Sequence, residues 1–151
     1  MKEITQAQVD NACFLIAQKI KERSPNGFVL AAVSRGGLVP ATIISHYLKH
    51  KDIRFIRLSS YSDESKAQTE MVDTTSDEIP NTANTYIIDD LCDSGETVQY
   101  LRNKYPLAQI YTLINKNPET KPDYFPLSEP KGLWINFPWE PEDREQAKNL
   151  L

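Results

Sequence analysis

The chain has 151 residues, 40% of them apolar and 25% charged, with a formal net charge of −4. That length suits one domain, that balance suits a globular chain, and no apolar run approaches the ~20 residues a membrane-spanning helix needs. Lysines and arginines are scattered without a basic patch, which argues against nucleic acid as a partner, since phosphate-backbone affinity needs clustered cations.

The first residues, Met-Lys-Glu-Ile-Thr-Gln, lack the apolar core of a signal peptide. Residues 5–22 predict an amphipathic helix. Thr5 and Gln8 fit a capping box, and Val9, Ala12, Cys13, Ile16 and Ile20 recur at helical spacing. Pro25, Asn26 and Gly27 stop it. Residues 28–33 form an uninterrupted apolar run, the pattern of a strand buried on both faces. Ser34-Arg35-Gly36-Gly37 is a turn, and a second helix follows with Val39, Ile43, Ile44, Tyr47 and Leu48 on its apolar side. Residues 53–58 read as a strand. Residues 60–83 are polar and rich in Ser, Thr and Asp, and are expected to be a long irregular insertion of functional use.

A third strand is expected over 86–90, a third helix over 97–105 ended by Pro106, and a fourth strand over 110–115. Six of the ten prolines lie between 118 and 141, so that region should be extended and turning. Residues 142–151 could form a short helix opened by Pro141. Strands alternating with helices imply a parallel α/β sheet with helices on both faces, whose ligands bind beyond the carboxyl ends of the strands. Two cysteines, Cys13 and Cys92, make no framework and read as free thiols of a cytoplasmic protein.

The chemistry concentrates at those strand ends. Residues 86–98 read Tyr-Ile-Ile-Asp-Asp-Leu-Cys-Asp-Ser-Gly-Glu-Thr-Val. A Ser, Gly and Thr turn at a helix start presents amides and hydroxyls to an anion, most naturally a phosphate. Asp89 and Asp90 beside it suit a divalent cation or the paired hydroxyls of a sugar. Together they describe a site for a phosphorylated ribose; the plainer alternative is a buried strand followed by a capped helix. Ser34-Arg35-Gly36-Gly37 is either a tight turn or a loop whose glycines and Arg35 let backbone amides hold an oxyanion. Lys116, just past the fourth strand, is either a surface lysine or a donor to a carbonyl oxygen. Trp134 in Trp-Ile-Asn-Phe-Pro-Trp-Glu is either packing or a face for a flat base.

The 86–98 segment resembles the substrate motif of type I phosphoribosyltransferases, with Asp89, Asp90, Asp93, Ser94, Gly95 and Thr97 filling its fixed positions. Over about residues 27–140 the chain is similar to the bacterial xanthine-guanine members of that family. Ala-Val-Ser-Arg-Gly-Gly-Leu-Val-Pro at 32–40, Ser-Ser-Tyr at 59–61, Lys116 and Trp-Ile-x-x-Pro-Trp at 134–139 occur in the family's order. The resemblance implies one domain over 1–151: a parallel twisted sheet, a lid at 60–83 and a small hood with a base-binding segment at 117–141. It implies a cytoplasmic, Mg²⁺-dependent pentosyltransferase of purine salvage, joining phosphoribosyl pyrophosphate to a 6-oxopurine, and a homo-oligomer, dimer or tetramer.

By the same resemblance, Ser34, Arg35 and Gly36 belong to a pyrophosphate loop whose Ser34–Arg35 peptide is cis. Asp89 and Asp90 hold the ribose hydroxyls and the metal's water shell, and the turn Ser94, Gly95, Glu96, Thr97 holds the 5′-phosphate. Asp93 is the general base toward purine N7. Lys116 donates to the exocyclic oxygen at C6, Trp134 stacks on the purine, and the Ile135 carbonyl accepts from the C2 group. Trp139 is expected to be structural. One departure stands out: residues 61–79 carry six acidic side chains against one base, Lys66, where the family's lid carries an arginine and lysines. This leaves a phosphoribosyltransferase-fold binding or regulatory protein, or a transferase for another base, as alternatives.

Overall fold

The computed structural model describes residues 1–63, 65, 68–141, 149 and 150. The elements in chain order are β1 (Lys2–Glu3), α1 (Gln6–Arg23), β2 (Val29–Ser34), α2 (Leu38–Leu48), β3 (Ile53–Asp63), β4 (Gln68–Asp73), β5 (Thr85–Cys92), α3 (Glu96–Lys104), β6 (Gln109–Asn115), β7 (Leu127–Ser128) and β8 (Ile135–Asn136). The expected helix at 142–151 lies almost wholly outside the described residues.

The capping box of α1 forms: the Thr5 hydroxyl accepts from the Gln8 amide at 3.1 Å, and the Gln8 side chain accepts from the Thr5 amide at 2.9 Å. Its buried stripe is Val9, Ala12, Cys13, Ile16, Ala17 and Ile20. Burial pushes the Cys13 thiol up to about 12, so it stays a neutral apolar side chain.

Six strands form one sheet in the order β4-β3-β2-β5-β6-β7, parallel except for β4. Residues alternate between its faces. Leu30, Ala32, Tyr86 and Ile88 pack with α1 and α2 on one side. Ala31, Val33 and Ile87 pack with Val98 and Leu101 of α3 on the other. Helices thus cover both faces, as the alternation of elements predicts. The carboxyl ends of β2, β5 and β6 open on the same rim.

Residues 60–83 depart from expectation. β3 runs through Asp63 and pairs antiparallel with β4, from Leu58 opposite Asp73 to Asp63 opposite Gln68. The hairpin projects past the core and rests on backbone bonds rather than apolar burial, which is why its polar composition hides it. The proline-rich segment is extended as expected. It supplies β7 at the sheet edge and β8, which pairs in parallel with β1 in a small second sheet.

Candidate active site

At the end of β2 the chain turns sharply. The Ser34–Arg35 peptide is cis, and the Gly37 amide donates to the Val33 carbonyl at 2.8 Å. A Cβ on Gly36 would lie 2.6 Å from Asp90 Oδ1, and one on Gly37 would collide with the Ile88 carbonyl. Gly37 is therefore required by the close approach of this loop to the end of β5, and Gly36 leaves room for the Asp90 carboxylate.

β5 ends in the paired carboxylates. The Asp90 amide donates to Asp89 Oδ1 at 2.9 Å. Burial, then the charge of Asp90, raises Asp89 well above the usual carboxylate range. Burial also raises Asp90, with the Glu140 carboxylate adding to it. Among the described residues other than Arg35, no lysine or arginine pairs with either one. Beyond them Gly95, at φ 84°, turns the chain into α3 and caps it with no side chain. The Glu96 amide donates to Ser94 Oγ at 3.3 Å, and a helix start of this kind favours an anion.

β6 delivers Lys116. Its amide donates to the Cys92 carbonyl at 2.9 Å, and its Nζ lies 3.2 Å from Asp93 Oδ1. The lysine side chain is only 4% exposed, whereas that of Asp93 is 60% exposed. A buried ammonium beside an outward carboxylate can serve two neighbouring atoms of one ligand edge, donating to one and accepting from the other.

Ile135 lies in β8, and Trp134 directly precedes it. The carbonyls of Trp134 and Asn136 accept from the Lys2 and Ile4 amides at 2.8 and 3.0 Å. Strand alternation therefore turns the Ile135 carbonyl away from β1. Trp134 is 62% exposed. Trp139 stacks on Phe137 with ring centroids 4.7 Å apart, and the Glu140 carboxylate accepts from the Phe137 amide at 2.9 Å.

A cavity of ≈ 650 Å³ gathers Ser34, Arg35, Gly36, Asp89, Asp90 and Thr97. Leu38 and Val39 of α2, Ser60 and Met71 of the hairpin, and Trp139 and Glu140 also line it. Lys116 lines a second opening of ≈ 340 Å³, while Trp134 and Ile135 line neither. Lys66 lies outside the described residues. Ser60 and Met71 fall in the segment expected to be a lid, though its strand form was not expected; sequence reasoning missed Glu140, and it missed β1, which pairs with β8. The Trp-Glu pair after Pro138 was the only hint of Glu140.

Residues 1–146 match the phosphoribosyl transferase domain family. The chain belongs to that family. This phosphoribosyl transferase is 35% identical to the xanthine-guanine phosphoribosyltransferase of Idiomarina loihiensis over 115 residues, 74% of this chain and 70% of that one. It superposes on the purine phosphoribosyltransferase of Pyrococcus horikoshii with a TM-score of 0.77 at 31% identity, covering 92% and 93% of the two chains. The Helicobacter pylori xanthine-guanine-hypoxanthine phosphoribosyltransferase shares the fold, with a TM-score of 0.70 at 20% identity over 98% and 96%.

The donors present fit a magnesium ion that takes most of its ligands from elsewhere than the protein. No group of three or more His, Cys, Asp or Glu side chains among the described residues could enclose a metal. Asp89 and Asp90 offer hard oxygen ligands and an unbalanced negative charge. Such a pair suits a cation that draws most of its shell from pyrophosphate and water.

Proposed function

We propose that this phosphoribosyl transferase joins phosphoribosyl pyrophosphate to a 6-oxopurine (guanine, xanthine or hypoxanthine) in purine salvage, yielding the nucleoside 5′-monophosphate and pyrophosphate. The observation that carries the reading is the Lys116–Asp93 pair at 3.2 Å, set directly before the phosphate turn. Purine O6 and N7 are neighbours on one edge. Lys116 donates to O6 while Asp93 accepts the proton at N7. The exposed Trp134 supplies a stacking face, and the free Ile135 carbonyl accepts from the C2 substituent.

In the transfer, the bond from the anomeric carbon to pyrophosphate breaks and a bond to the purine nitrogen forms. Asp89 and Asp90 hold the ribose hydroxyls. The amides of residues 94–97 hold the 5′-phosphate. Arg35 and its loop amides stabilise charge developing on the leaving pyrophosphate, the kind of preorganised term that usually dominates. Bound Mg²⁺ would supply Lewis-acid neutralisation of that pyrophosphate, held at Asp89 and Asp90 through its water shell. The β3–β4 hairpin, with Ser60 and Met71 in the cavity wall, excludes water that would hydrolyse the activated sugar.

Two of the lid's acidic residues have structural partners. Asp77 accepts from the Phe55 amide at 2.8 Å, and Asp73 accepts from Tyr100 at 2.6 Å. That weakens the case for an acidic, non-catalytic lid. Incubation with labelled phosphoribosyl pyrophosphate, Mg²⁺ and a panel of bases tests the reading. Turnover is expected with 6-oxopurines and not with adenine or uracil. A protein that uses a pyrimidine, or no base, refutes it.

A further inference from the structure

Asn117, directly after Lys116, holds none of the groups assigned to substrate, yet every polar atom of its buried side chain is engaged. Nδ2 donates to the carbonyls of Asp93 and Ser94 at 3.1 and 2.9 Å. Oδ1 accepts from the amides of Glu119 and Thr120, both at 2.9 Å. Two donors and two lone pairs exhaust what a carboxamide offers. The residue is only 7% exposed, and Asn115 holds its backbone on both sides, at 3.0 and 2.9 Å.

The consequence lies in the phosphate turn. In a trans peptide the carbonyl and the amide point in opposite directions. The Asp93 carbonyl shares its peptide with the Ser94 amide, and the Ser94 carbonyl with the Gly95 amide. With both carbonyls drawn onto Asn117, those two amides point away from it. Neither amide has a hydrogen-bond partner among the described residues. Gly95 completes the fit: a Cβ there would lie 2.7 Å from Thr120 Cβ and 3.1 Å from Asn117 Nδ2. The Cys92 thiol donates to the Thr120 carbonyl at 3.3 Å, tying the same loop to β5.

We infer that Asn117 is a positioning residue that aims the Ser94 and Gly95 amides at the 5′-phosphate and fixes Asp93 beside Lys116. The inference rests on the proposed function for its kinetic consequence, but phosphate binding tests it without turnover. Ribose 5-phosphate titrated into the ¹⁵N-labelled protein is expected to shift the Ser94 and Gly95 amide resonances downfield. In Asn117→Asp that shift is lost and affinity falls about tenfold, the size of one buried hydrogen bond. The aspartate keeps the acceptor half that shapes the 117–120 turn, loses the donors to Asp93 and Ser94, and turns a carboxylate oxygen toward their carbonyls. Because that charge by itself would weaken anion binding, Asn117→Ala, which adds none, is titrated beside it; wild-type Ser94 and Gly95 amide shifts and affinity in both variants overturn the proposal.

In the transferase assay, Asn117→Asp and Asn117→Ala should raise KM for phosphoribosyl pyrophosphate about tenfold while KM for guanine moves far less. Unchanged KM for the sugar substrate also overturns the proposal. Should neither variant fold, the wild-type Asn117 side-chain protons decide. They are expected to exchange more slowly than those of exposed asparagines, and more slowly still with ribose 5-phosphate. Fast exchange indifferent to that ligand sinks the role. A wild type that transfers to no purine, yet whose Ser94 and Gly95 amides respond to ribose 5-phosphate, ends the proposed function and supports the assignment of Asn117.

Discussion

At the scale of single residues, the Asp93–Lys116 ion pair is the proposed chemical centre of the site. A lysine this buried needs a partner, because an uncompensated ammonium out of water is costly. Asp93 supplies that partner and still turns an exposed carboxylate to the ligand. Asp93→Asn keeps the shape and the backbone carbonyl that Asn117 holds, but removes the base. Turnover should fall about 10²- to 10⁴-fold while KM for phosphoribosyl pyrophosphate changes little; steady-state kinetics at saturating Mg²⁺ read both. Equal turnover would remove Asp93 from the base role. Residues 89–97 were legible in the sequence because one contiguous stretch carries the chemistry. Glu140 and Asn117 were not. They reach the site from separate segments, and an asparagine before a proline has the look of an ordinary turn residue.

The β3–β4 hairpin is the element least visible in the sequence and the one with a clear electrostatic anchor. Asp73, at the end of β4, accepts from Tyr100 at 2.6 Å and pairs with Lys104 at 2.5 Å, fixing the root of the hairpin to α3. Burial works against its charge, but bonds from Lys104, Thr75 and Tyr100 together hold it below the usual carboxylate range. A carboxylate depressed in the folded state contributes stability that is full above its unfolded pKa and is lost as pH falls through the folded one. Asp73→Asn should therefore lower stability by about 1 kcal/mol at neutral pH, Lys104 being partly solvated. The gap from wild type should close as pH falls from ~5 toward 2. Urea melts across that range would show it; a gap that held steady would mean that charge is not the anchor. The helices and central strands were legible because they bury apolar stripes at period 3.6 or continuous apolar runs. The hairpin and β1 form by backbone pairing with little burial, and β8, though buried, has two residues and so leaves no periodicity to detect.

Across the whole molecule, the fold converges three strand ends and a returning C-terminal segment on one rim, and it concentrates negative charge there. Asp89 and Asp90, held side by side and raised by burial, oppose folding as long as they are ionised. Asp89→Asn should therefore raise the Tm of the free protein while impairing substrate binding, the trade expected where a site is kept at the expense of stability. The same charge would repel pyrophosphate unless a cation came with it. A ligand at a hundredfold excess over Kd adds about 2.7 kcal/mol, roughly 5–10 °C in Tm for a chain of this size. Phosphoribosyl pyrophosphate with Mg²⁺ should give a shift of that order. With chelator the shift should nearly vanish, and Mg²⁺ alone should do little, because two carboxylates leave most of its coordination shell to others. An equal shift in chelator, or the full shift in Asp89→Asn, would show that the acidic pair does not hold the metal–pyrophosphate complex.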